Sequence, residues 1–108
     1  MYSRPIALCL ERIWSRRGER WDNQAAHHIV ASGAMAAGDA RQILASVGMD
    51  VNSALNGVFL DVPYHQGLHT KAYYENVNNM LSGAKTYGDV VGRLTVIRGM
   101  LNTGTFPH

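Results

Sequence analysis

The sequence predicts a small α+β domain, mostly helical, with one short two-stranded hairpin. Three observations predict it. Segments at 4–17, 39–47 and 89–102 place apolar residues at helical spacing, and 66–82 also reads as helix. One turn-and-strand signal, Asn56-Gly57 followed by Val58-Phe59-Leu60, interrupts them. The chain has 108 residues and is 46% apolar, which suits one domain over 1–108 with a single core.

The elements follow in order. In 4–17, Ile6, Leu10, Ile13 and Trp14 share a face, Ser3 can cap the start and Gly18 ends it. In 39–47, Ala40, Ile43, Leu44 and Val47 line one side, with Gly48 past the end. Gly57 reads as a turn residue whose conformation is closed to other side chains. Val58 to Leu60 then form a brief strand, with His27 to Ala31 as its expected partner. Pro63 breaks the chain, and a helix over 66–82 closes at Gly83. In the last segment Val90, Val91, Leu94, Ile97 and Leu101 share a face, although Gly92 and Gly99 weaken a helix and Val90 to Ile97 also fits a strand.

Composition excludes several classes. A net charge of +2 is not that of a tight, non-specific DNA-binding protein. Arg4, Arg12, Arg16, Arg17 and Arg20 nevertheless fall in the first twenty residues, against Glu11 and Glu19. Taken alone they read as a solvated helix face; a phosphate backbone is the functional alternative. Cys9 is the single cysteine, so neither an internal disulfide nor a cysteine-based zinc finger is possible, and any metal must be held by His, Asp or Glu. No apolar run approaches a membrane span, and Met1 to Leu10 lacks the pattern of a secretory signal. The protein therefore acts in the cytoplasm or is delivered by another route.

Four of the five histidines fall in two groups, His27-His28 and His65-x-x-x-His69; His108 ends the chain. On one helix, residues four apart have Cβ atoms about 5–6 Å apart, close enough for two imidazoles to bind one ion. Two exposed polar residues on a helix is the plain alternative. In an extended segment adjacent side chains face opposite ways, so His27 and His28 cannot share one task. One can complete a three-histidine metal site with an open position while the other serves as a general base.

The order His-His, Asn, His-x-x-x-His resembles the AHH nucleases of the HNH/endonuclease VII superfamily. Ala26-His27-His28-Ile29-Val30 carries the signature. Gly48-Met49-Asp50-Val51-Asn52, Asn56 to Leu60, His65 to Thr70, Tyr73-Tyr74 and Val77 extend the resemblance over about 24–81. It implies a ββα-metal core of two short strands and a helix. It also implies His27, His65 and His69 as ligands of one divalent ion (Zn, Mg, Ni or Mn), His28 as general base, and Asn56 orienting that base by a hydrogen bond.

The implied activity is metal-dependent endonucleolytic hydrolysis of nucleic acid, DNA in preference to RNA, with Lys71 and Arg20 as candidate phosphate contacts. The family further implies an antibacterial toxin module, secreted or injected to act in a target-cell cytoplasm, with a cognate immunity protein. The rival from another class is a non-catalytic, zinc-stabilised binding module. A closed structural site normally needs four ligands, however, and would leave His28 without a task. Tyr73, Tyr74, Trp14, Trp21, Phe59 and Leu60 read as packing residues.

Overall fold

The computed structural model of the protein describes residues 23–108. The expected first helix, Trp14, Trp21 and Arg20 lie outside them. Strand β1, Gln24–His28, pairs antiparallel with β2, Gly57–Asp61, in the register Gln24↔Asp61, Ala26↔Phe59 and His28↔Gly57. Between the strands the chain makes a 3-10 turn over Met35–Ala37, helix α1 over Gly38–Ser46 and a second 3-10 turn over Ala54–Asn56. Helices α2 (Val62–Gly67), α3 (Lys71–Leu81) and α4 (Tyr87–Asn102) follow. The result is a mostly helical α+β domain with a two-stranded hairpin, consistent with a ββα-metal core.

Helices α1 and α4 lie within two residues of their expected bounds, and the strand alternative for the last segment is excluded. Three expectations are corrected. First, β1 runs over 24–28, not 27–31. The main chain beyond His28 is taken by Asn56: Ile29 N–H donates to the Asn56 carbonyl at 2.8 Å, and Val30 N–H to its Oδ1 at 2.8 Å. Second, the single helix over 66–82 is two. Pro63 sits in the first turn of α2, where its fixed φ and missing N–H cost nothing. The chain breaks at 68–70, and the Thr70 hydroxyl starts α3 afresh by accepting from Tyr73 N–H at 3.1 Å. Leu68, fully buried, pins the break to the core. Third, Gly57 has φ −125° and is ordinary extended backbone; the left-handed glycines among the described residues are Gly48 (φ +78°), Gly83 (φ +84°) and Gly104 (φ +70°), each just past a helix end.

The core lies between the hairpin and the helices. Tyr73, Val77 and Leu81 of α3 meet Val90, Leu94, Ile97 and Leu101 of α4, joined by Ile29, Val30, Leu44 and Leu68. Fully burying each large aliphatic side chain contributes roughly 1.5–3 kcal/mol. The Arg98 guanidinium donates to the Leu55 and Gly57 carbonyls, fastening the last helix to the start of β2. Ala26 and Phe59 form a small second cluster. Among the described residues no helix is long and apolar enough to cross a membrane.

Candidate active site

Strand alternation sets the two adjacent histidines apart. Ala26 and His28 project from one face of β1 and His27 from the other. Both rings are buried, His27 at 3% and His28 at 5% exposure. His27 turns to the helices: its Nδ1 lies 3.0 Å from His65 Nδ1 and its Nε2 lies 2.8 Å from the Tyr73 hydroxyl. His28 turns the other way, its Nε2 2.9 Å from Asn52 Oδ1.

His65 belongs to α2 and His69 to the break after it, so the two do not share a helix face as their spacing suggested. The short turn nevertheless brings their rings to 4.7 Å between centroids, with Nε2 atoms 3.4 Å apart. His69 Nδ1 in turn lies 3.3 Å from the Tyr74 hydroxyl. His27, His65 and His69 therefore cluster. With His28, they line a cleft of about 370 Å³, walled by Ala31 to Ala34 and by Tyr74.

Burial keeps His27, His28 and His65 neutral. Burial holds His27 well below its ordinary value, and the neighbouring His65, His69 and His28 add to the effect. Burial and the same crowding of imidazoles push His65 down to about 4. Burial also lowers His28, opposed by its hydrogen bond to Asn52. Tyr73 is held well above the usual phenol range, chiefly by burial, so its hydroxyl keeps its proton.

Asn56 does not orient His28, as had been expected. Its side chain is fully buried and spent on main chain: Oδ1 accepts from Val30 N–H, and Nδ2 donates to the Val30 carbonyl at 3.1 Å and the Val51 carbonyl at 2.8 Å. It fixes the chain immediately after the doublet. The amide on the His28 ring is that of Asn52, a residue that spacing did not single out. Arg41 was missed as well: its guanidinium donates to the carbonyls of Ala31 (2.9 Å) and Ala34 (2.6 Å), which wall the cleft. Tyr74 is a further correction, since its hydroxyl joins the histidine cluster rather than only packing. Lys71 is exposed at the start of α3, with Glu75 at 3.7 Å.

The model of a nuclease family of the HNH/ENDO VII superfamily, defined by a conserved AHH, matches residues 10–97. The chain belongs to this AHH family. Its namesake triplet is Ala26-His27-His28 of β1, the strand from which the two imidazoles diverge. No curated protein and no solved structure matches the chain significantly.

AHH nucleases belong to a superfamily whose members use a metal ion. Among the described residues no three His, Cys, Asp or Glu side chains form a ready cage. His65 turns its two ring nitrogens to different neighbours, Nδ1 to His27 and Nε2 to His69. The donor chemistry still fits a divalent ion: three clustered imidazoles, two of them, His27 and His65, held neutral at neutral pH, with no Lys or Arg among the described residues lining the cleft.

Proposed function

We propose that this AHH nuclease is a metal-dependent endonuclease that hydrolyses phosphodiester bonds, DNA in preference to RNA. One observation carries the reading. His27 and His28 diverge, one into a cluster of imidazoles and one to the Asn52 amide, yet both open on the same cleft. That divergence supports one histidine as a metal ligand and the other as a general base.

His27, His65 and His69 would hold one divalent ion. Three imidazoles suit zinc or nickel better than magnesium or manganese, which prefer oxygen. When bound, the ion supplies Lewis-acid stabilisation of the charge that develops on the phosphate and leaving oxygens. His28, neutral near pH 7, takes a proton from water as the oxygen adds to phosphorus and the P–O bond to the leaving group breaks. Asn52 Oδ1 accepts from His28 Nε2–H, which leaves the lone pair on Nδ1, and the same bond supports the ring once it is charged. Lys71 and Arg20 are proposed backbone contacts.

No Asp, Glu or Cys among the described residues lines the cleft with the histidines, so the fourth ligand of a closed structural zinc site is missing there. The family resemblance supports a role as an antibacterial toxin module, secreted or injected into a target cell and neutralised by an immunity protein. Digestion of plasmid DNA and of RNA side by side, with Zn²⁺, Ni²⁺, Mn²⁺ or Mg²⁺, tests the reading. Plasmid nicking is expected, abolished by EDTA and by His28→Ala. Cutting that persists in EDTA would remove the metal, and full activity in H28A would remove the base.

A further inference from the structure

The Tyr73 hydroxyl of α3 reaches the histidine cluster from the core, at His27. It is fully buried, packed edge-on against Phe106, and has two close partners. It lies 2.7 Å from the Ile29 carbonyl oxygen and 2.8 Å from His27 Nε2.

Proton accounting decides the directions of both bonds. A carbonyl oxygen only accepts, so the single hydroxyl proton lies on the line to Ile29. The reverse arrangement would set a carbonyl lone pair against a phenol lone pair at 2.7 Å and leave a buried acceptor unpaired. With its proton committed, the phenol oxygen can only accept from His27, and His27 Nε2 must carry the hydrogen. A neutral imidazole has one N–H, so Nδ1 carries the lone pair, and Nδ1 is the atom facing His65.

We infer that Tyr73 is a positioning residue. Its hydroxyl, anchored on the Ile29 carbonyl, holds His27 as the Nε2–H tautomer and turns the Nδ1 lone pair into the cluster. Its consequence for metal binding rests on the function proposed above; the tautomer does not. Outer hydrogen bonds of this kind commonly change metal affinity by about 10–100-fold. The lever is the main chain itself: just past the end of β1, two residues after His27, it supplies the carbonyl that aims the ring.

Imidazole ¹⁵N NMR of the metal-free protein tests this directly. His27 is expected as the Nε2–H tautomer, and a wild-type spectrum showing Nδ1–H overturns the inference. In Tyr73→Phe, which keeps the packed ring, the tautomer preference should be lost. Zn²⁺ affinity, measured by competition with a chelator, should fall about 10–100-fold. A folded Y73F that keeps the preference and binds Zn²⁺ within twofold of wild type reduces Tyr73 to packing and also overturns it. If Y73F does not fold, the wild-type spectrum still decides. A chain that cleaves no nucleic acid defeats the proposed function and leaves the spectrum untouched.

Discussion

Two asparagines four residues apart perform different work, and the difference is measurable. Asn56 makes three hydrogen bonds to main chain in a fully buried site. Asn56→Ala would leave an N–H and two carbonyls unpaired, and roughly 2–4 kcal/mol of stability should be lost, read by denaturant unfolding. Asn52 is half-buried and bonds the His28 ring. Asn52→Ala should cost under about 1 kcal/mol, yet lower kcat by about tenfold or more, as loss of an orienting partner does. Equal stability losses with equal activity losses in the two variants would contradict this division. Nothing in the local spacing marks Asn52, because its bond spans 24 residues of chain and depends on how the 3-10 turn after it folds. Asn56, by contrast, came from the family resemblance, and its contacts give it a physical reason to be buried.

At the scale of elements, the helices were legible where an apolar face met a core. Val90, Leu94, Ile97 and Leu101 are all buried, as their spacing implied. The break at 68–70 was not, because an isolated glycine such as Gly67 is tolerated inside a helical pattern and Lys71 and Ala72 resume it. The decision lies with Leu68, drawn into the core, and with the Thr70 cap. Strand β1 was found three residues out of place, since Ile29 and Val30 look like strand but pair with Asn56. The segment between β1 and α1 is held by two braces: Arg41 on the Ala31 and Ala34 carbonyls, and Asn78, which donates to the Ala36 carbonyl and accepts from Ala40 N–H. Arg41→Ala should loosen one wall of the cleft. Hydrogen exchange over 31–37 should quicken while β1 and β2 amides keep their protection, at a stability cost of about 1–3 kcal/mol. Uniformly faster exchange across the hairpin would show that Arg41 supports the whole fold instead.

At the scale of the molecule, the protein keeps neutral histidines in its interior, and this links stability to pH. His27, His28 and His65 have lower pKa values folded than unfolded. The unfolded chain therefore binds more protons, and stability rises with pH across the interval between the two values. Their contribution is complete above about 6.5, the unperturbed histidine value, and is lost progressively as pH falls toward the His65 value of about 4. The melting temperature of the metal-free protein should fall steadily from pH 7 to pH 4; a flat profile would mean that the rings are not buried neutral. An ion that binds only the folded cluster adds roughly 2.7 kcal/mol at a hundredfold excess over its Kd. One feature reaches further. His27 meets His65 across 38 residues and Tyr73 across 46, so no short stretch of chain holds the centre together. An unfolded chain therefore carries none of its cutting chemistry, which is assembled only when the hairpin closes on the helices.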